Sequence, residues 1–303
     1  MKFQDAILFL ILAIVWGSAF TAIKAGLTFF PPVLFAALRY DFAGILMLGY
    51  AMYINEHWMP SNYREWQLVG IGGALMIAAY HAFLFVGEQG TTSAAAAIIV
   101  SLSPILTTGF ARILLPDERL TTVGIMGLGF GFLGVIILSN PDPNNIFDSR
   151  TVSMFLIFIA TASFALGSVL TRRSNADLAI ETMEAWAMII GAILMHGISL
   201  AIGESWMAIT WTQTALISLG YLVVIASAGG FLIYFSLLER LGPIEINLVA
   251  YAGPVAATIT GFVFLNEIPT IYTMIGFVFI VIGFILIKRR AIRREFDKTI
   301  ALL

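Results

Sequence analysis

Pro104 and Pro254 each fall inside a long apolar stretch, where a residue without a backbone N–H frees a carbonyl near the middle of the helix that holds it. Interruptions at corresponding places of two halves are a strong sequence pointer to a binding site in a chain that crosses a membrane. Ser101 and Ser103 flank the first proline, and Asn247 and Tyr251 precede the second; all four are placed either to satisfy freed backbone groups or to face a ligand. Trp16 and Phe164 each precede a Gly-Ser pair, Gly17-Ser18 and Gly167-Ser168. An aromatic plate beside small residues suits an apolar ligand surface, and equally suits a close helix contact. His81, next to Tyr80, is one of three histidines and has the chemistry to bind a carboxylate or carry a proton near neutral pH; a neutral, hydrogen-bonded core histidine is the alternative. His196 has no comparable neighbours and reads as structural.

Arg39 and Asp41 lie within another apolar stretch. A charge at membrane depth costs ~2.5–3.5 kcal/mol on insertion scales, so both must face protein, water or the surface. Two residues apart, they cannot pair on one helix face and are expected to find separate partners on other helices. A direct part in charge or proton coupling is the second reading for Arg39 and Asp41, as it is for Glu245, which follows Pro243 in the first turn of a helix where negative charge is favoured. Glu184 has the same placement, while Glu118 and Glu267 read as loop anchors at the ends of their helices.

Other chemistries are excluded. There is no cysteine, hence no disulfide, thiol nucleophile or Cys-held metal. None of the four lysines follows a glycine, so no phosphate-binding Gly-Lys-Ser/Thr loop exists and no nucleotide is expected. No H-E-x-x-H or G-x-S-x-G is present. The expectation is no catalytic residue, no metal and no cofactor. A hydrolase working inside the membrane, and a channel or scaffold, are the competing readings; charge rings or a carbonyl filter, which a pore would present, are not visible.

The elements that must position these residues follow from composition. Of 303 residues 60% are apolar and 11% charged, against about 45–50% and about 25% in soluble domains. A net charge of -2 offers no basic field for nucleic acid. A lipid bilayer is therefore the expected partner, and a small-molecule substrate is the one the paired prolines point to. Crossing the hydrocarbon takes ~20 apolar residues, and ten such runs are present: 5–24, 32–54, 66–87, 92–115, 121–139, 152–171, 180–203, 212–236, 243–266 and 270–287. An even count puts both ends on one side. If that side is the cytoplasm, Lys2, Arg64, Arg112, Arg119, Arg172, Arg173, Arg240 and six basic residues of the tail fall inside, and only Lys24 and Arg150 outside, a strong positive-inside bias. The basic tail is expected on the anionic inner leaflet.

The two halves resemble each other. Glu118 and Glu267, Gly127 and Gly276, and Gly134 and Gly283 each stand 149 residues apart, and Pro104 and Pro254 follow with one residue of slip. Five spans per half is an odd number, so the second copy enters from the opposite face. This predicts an all-α membrane protein of ten helices in a 5+5 inverted-topology repeat, with 1–140 and 152–290 as the repeats, 141–151 as an extracytoplasmic connector and 291–303 as a basic cytoplasmic tail.

The segments VWGSAFTAIKAG (15–26), PPVLFAALRYDFAG (31–44), TTSAAAAIIVSLSPILT (91–107) with LPDERLT (115–121), FALGSVLTRR (164–173) and YFSLLERLGPIEINLVAYAGPVAATITGFVFLNEIPT (234–270) together resemble the EamA group of the drug/metabolite transporter superfamily. The resemblance covers residues ~5–290. It implies cytoplasmic ends in a cell membrane, a central cavity, and export of small metabolites or amino-acid-like compounds. Where the first half reads LPDERL the second reads LNEIP; it lacks the basic residue, as an outward-facing loop should.

Overall fold

A computed structural model describes residues 3–115, 122–141, 145, 147–174, 176–241, 246 and 248–300, with side chains described from 4 to 287 of these. Glu118, Glu245 and Asn247 lie outside the described residues. Ten long helices run through the described residues: α1 Phe3–Gly26, α2 Pro32–Ile54, α3 Tyr63–Glu88, α4 Ser93–Leu114, α5 Thr122–Ser139, α6 Ser149–Arg173, α7 Ile180–Ala201, α8 Gln213–Leu241, α9 Val249–Leu265 and α10 Ile271–Ile300. The first eight are long and apolar enough to cross a membrane, and α9 and the 271–287 part of α10 are shorter apolar helices. No strand occurs among the described residues. The bundle presents Ile14, Ile45, Phe262, Phe264 and Ile275 on its outside, a surface suited to lipid. The helix α10 runs on into the basic segment as far as Ile300.

Local chemistry sets the helix ends. Thr92, Asp148 and Thr212 each accept a backbone N–H three residues on, at the starts of α4, α6 and α8. The Asp148 cap starts α6 at Ser149, a turn before the expected limit. Asn62 and Glu65 cap α3 reciprocally, with Glu65 N–H to Asn62 Oδ1 at 3.1 Å and Asn62 Nδ2 to Glu65 Oε1 at 2.6 Å. Two further caps come from distant loops. Glu204, after α7, accepts Val33 N–H at 3.0 Å and Leu34 N–H at 2.7 Å where Pro32 opens α2. Glu267, between α9 and α10, accepts Ser93 N–H at 2.9 Å at the start of α4. A carboxylate at a helix N-terminus meets both unpaired N–H groups and the positive end of the helix dipole.

The repeat is visible in the packing. α5 lies against α10 and α2 against α7, while α1 packs on α9 as α6 packs on α4, and α8 touches α1 and α2 as α3 touches α6 and α7. The matched glycines meet crosswise. A Cβ on Gly127 would lie 2.7 Å from Gly283 O, and one on Gly134 would lie 2.7 Å from Gly276 O, with the reciprocal approaches both 2.6 Å. Two antiparallel helices related by a pseudo-two-fold axis must cross in this way, each residue meeting the counterpart of the other. The axis passes between α5 and α10, so the two halves are inverted copies.

A second correspondence has no counterpart in the hydrophobic pattern. α3 widens into a π-helical stretch over Gly72–Ala79, and α8 does so over Tyr221–Gly229, starting 149 residues later. Such wide turns cluster at functional positions. The prolines are less symmetric than expected. α4 breaks at Ser101 and Leu102, and Pro104 sits in the first turn of its second segment, Ser103–Leu114, where no N–H is needed. Pro254 instead lies inside the continuous helix α9. Both are followed by a threonine that bonds back to the proline carbonyl, Thr108 to Pro104 O and Thr258 to Pro254 O, each at 2.8 Å.

Candidate functional site

The two wide turns face the interior from opposite halves, and each carries a side-chain donor on a carbonyl at equivalent positions. In α3 His81 Nδ1 lies 2.9 Å from Ile77 O. A carbonyl can only accept, so the proton is on Nδ1. Nε2 lies 2.7 Å from Tyr40 Oη, and in the neutral imidazole the phenol is the donor of that bond. In α8 the corresponding carbonyl, Ala226 O, takes the indole N–H of Trp16 at 3.1 Å. Gly230 occupies the place in α8 that His81 occupies in α3. A Cβ there would come 2.5 Å from Trp16 Nε1, so the absent side chain is what admits the indole. One repeat supplies the donor from within the wide helix, the other from its neighbour α1.

Aromatic contacts extend both half-sites. Tyr80 stands against His81 at 4.5 Å between ring centroids and against Phe164 of α6 at 5.3 Å. Trp16 stands against Tyr234 at 5.4 Å and Phe231 at 5.9 Å. Ser18 shares a 2.5 Å hydrogen bond with Tyr221 of α8. Arg39 joins the halves. It is 6% exposed, its guanidinium lies 5.1 Å from the Tyr40 ring centre, and its Nε donates to Ser227 Oγ at 3.0 Å in the α8 wide turn, next to Ala226. An unbroken run of contacts therefore passes from Phe164 through Tyr80, His81, Tyr40 and Arg39 to Ser227. Among the described residues no carboxylate stands within ion-pair distance of Arg39.

The other sequence candidates lie apart from this run or at its edge. Gly17 packs against the backbone of Gly253, which brings Trp16 close to the buried Pro254. Tyr251 stacks on Phe284 at 4.3 Å with its hydroxyl buried and unpartnered. Ser101 is fully buried and donates to Ile98 O at 2.6 Å, satisfying its own helix where α4 breaks. Ser103, Pro104 and Ser168 are partly exposed. Asp41 turns away from Arg39 and pairs with His196 Nε2 at 2.8 Å, with Trp206 stacked on the imidazole. A groove of about 380 Å³ opens on the flank between α2 and α8, but its lining, including Phe42, Ile45, Leu219 and Val223, is apolar and holds none of the polar candidates.

Sequence reasoning missed Tyr40, Ser227, Tyr221 and Glu88. Tyr40 neighbours Arg39 in sequence, and Ser227 is a hydroxyl in an apolar run; neither carries a spacing that singles it out. Glu88 ends α3 and is fully buried, with both carboxylate oxygens unpartnered.

The sequence pattern of the EamA-like transporter family matches residues 5–140 and again 151–289. A protein of Archaeoglobus fulgidus named an uncharacterized transporter is 26% identical over 280 residues, covering 91% of this chain and 95% of its own. The uncharacterized inner membrane transporter YedA of Escherichia coli K12 is 28% identical over 252 residues, 82% of this chain and 79% of its own. A solved structure titled only as a crystal structure of a protein superposes with a TM-score of 0.65 over 96% of this chain and 99% of its own, at 20% identity, a likeness of fold.

Proposed function

Because the chain belongs to the EamA-like transporter family, we propose that it is a secondary transporter that moves small amphipathic metabolites, such as amino acids or related compounds, outward across the cell membrane by alternating access, with both termini in the cytoplasm. The observation that carries this reading is the pair of inverted wide turns joined by Arg39. Two copies of one element, pointing in opposite directions, present polar and aromatic groups to the same interior region. An arrangement of this symmetry can be open to one face with the first half in one pose, and to the other face when the halves exchange poses. The glycine seam between α5 and α10 supports the motion, since small residues let backbones touch with few side chains to repack.

The substrate follows from the donors and the rings. Arg39 is a buried cation that donates to a neutral hydroxyl, and a carboxylate is the planar anion its fork matches. Tyr80, Phe164, Trp16 and Tyr234 offer apolar faces for the rest of the molecule. No nucleotide is used; the driving force is a gradient.

Purified protein in proteoliposomes, loaded with one unlabelled amino acid at a time and given the labelled compound outside, tests the reading. Saturable counterflow of at least one carboxylate-bearing compound, lost in Arg39→Leu, is the expected result. Failure across a broad amino-acid and drug panel would overturn it. Single cysteines placed at residue 145 and at the N-terminus should react from opposite faces.

A further inference from the structure

We propose that Glu88 is a proton-binding site, and that proton binding there couples the transport reading above to the proton gradient. Glu88 is 0% exposed, and neither carboxylate oxygen has a hydrogen-bond partner. Two hydroxyls of the turn that follows, Thr91 Oγ1 and Ser93 Oγ, are also buried without partners, and Ser93 is 0% exposed. The nearest cation does not pair with the carboxylate. Lys24 Nζ instead donates to the backbone carbonyls of Glu88 and Gln89, both at 2.9 Å, closing the end of α3. Glu267, the carboxylate that acts on Glu88 from the α9–α10 connection, is committed to Ser93 N–H. Three unsatisfied oxygen-bearing groups within six residues are unusual in a packed interior, where nearly every buried polar group is bonded.

Protonation removes the buried charge. The carboxylate takes one proton to become a carboxylic acid, a neutral group with an O–H to give, and a shift of the adjoining turn would bring the unpartnered Thr91 or Ser93 hydroxyl to it. Loss of the proton restores one negative charge in a place with no hydrogen bond for it, which favours a rearrangement of the α3–α4 turn toward water or toward Lys24. The charged and titratable groups facing Glu88 are Lys24 from α1, Arg39 from α2, Tyr80 on its own helix and Glu267 from the α9–α10 connection. Arg39 also acts electrostatically on His81, so the charge on Glu88 is felt in the run of contacts assigned to the substrate. Glu88 lies at the end of α3 beside the end of α1, the face away from the N-terminus. A proton entering there as substrate leaves by the same face makes a one-for-one exchange.

Two measurements test this. The first needs no substrate: infrared difference spectra of the purified protein between acidic and alkaline pH should show a protonated-carboxyl band that titrates and that is absent in Glu88→Gln. A spectrum unchanged by the substitution overturns the assignment. The second uses proteoliposomes and whichever labelled amino acid shows counterflow. Glu88→Gln should keep counterflow within about twofold while losing accumulation driven by an imposed pH gradient. Retained accumulation overturns the coupling; absence of counterflow in the parent protein defeats the transport reading and leaves the infrared result standing alone. Stabilisation against heat by sodium chloride over potassium chloride, abolished in Glu88→Gln, would reassign the oxygens to a metal cation and overturn the proton.

Discussion

Gly230 admits the Trp16 indole to the α8 backbone: a Cβ on the glycine would stand 2.5 Å from Nε1, the atom that donates to Ala226 O. The other repeat fills the equivalent space with the His81 ring. Gly230→His should therefore be poorly tolerated alone, because the new ring and the indole compete for one carbonyl. Combined with Trp16→Ala it should recover much of the lost stability. A double-mutant cycle on melting temperature should give a coupling of about 0.5–3 kcal/mol, the range for residues in contact. Simple additivity would mean that the two halves do not share this construction.

The same construction shows what could be read beforehand. Ten helices, their order and the crosswise repeat were legible because each depends on a local property, apolar length or a glycine at a matched position. The 149-residue offset of Gly127 and Gly134 from Gly276 and Gly283 became two backbone crossings. The wide turns were not legible, since a change in hydrogen-bond register leaves the apolar pattern of Gly72–Ala79 and Tyr221–Gly229 almost untouched. Nothing in the sequence marks Glu88, because a carboxylate at a helix end reads as wet. The groups that act on it come from far along the chain: Lys24, 64 residues earlier, bonds its carbonyl, and Glu267, 179 residues later, acts on its charge.

The crosswise glycines should be among the least replaceable small residues in the described part of the chain. At Gly134 and Gly276 a side chain would meet backbone on the facing helix at 2.7 and 2.6 Å, and backbone cannot rotate away. Gly134→Val and Gly276→Val should each cost at least ~1–3 kcal/mol, the usual penalty of overpacking. Gly129 lies on the same helix with nothing within 4 Å. Gly129→Ala should be neutral or gain up to ~1 kcal/mol from helix propensity. Thermal unfolding in detergent followed by size-exclusion fluorescence separates the two classes.

Glu204 holds the start of α2 through two charge-assisted bonds from beyond α7. Glu204→Ala should lower stability by about 0.5–2 kcal/mol, the range for loss of a helix cap. Because α2 and α7 also pack against each other, the loss should appear as faster proteolysis of the 201–212 connection as well as a lower melting temperature. Unchanged cleavage would show that the cap stabilises α2 without tethering the loop.

Tyr40 and Asp41 are adjacent and should behave oppositely. Tyr40 is buried and bonds His81 at Nε2. Tyr40→Phe leaves that nitrogen unsatisfied in the interior, at about 1–3 kcal/mol, and should slow counterflow because it loosens the ring that Tyr80 and Phe164 lean on. Asp41 pairs with His196 at 2.8 Å, but the two side chains are 33% and 26% exposed. Pairs open to their surroundings contribute ~0–1 kcal/mol. Asp41→Asn should thus leave counterflow within about twofold and shift the melting temperature by a few degrees at most. If Asp41→Asn abolished transport while Tyr40→Phe did not, the functional path would run along the outer flank of α2 and α7 instead of through His81 and Arg39.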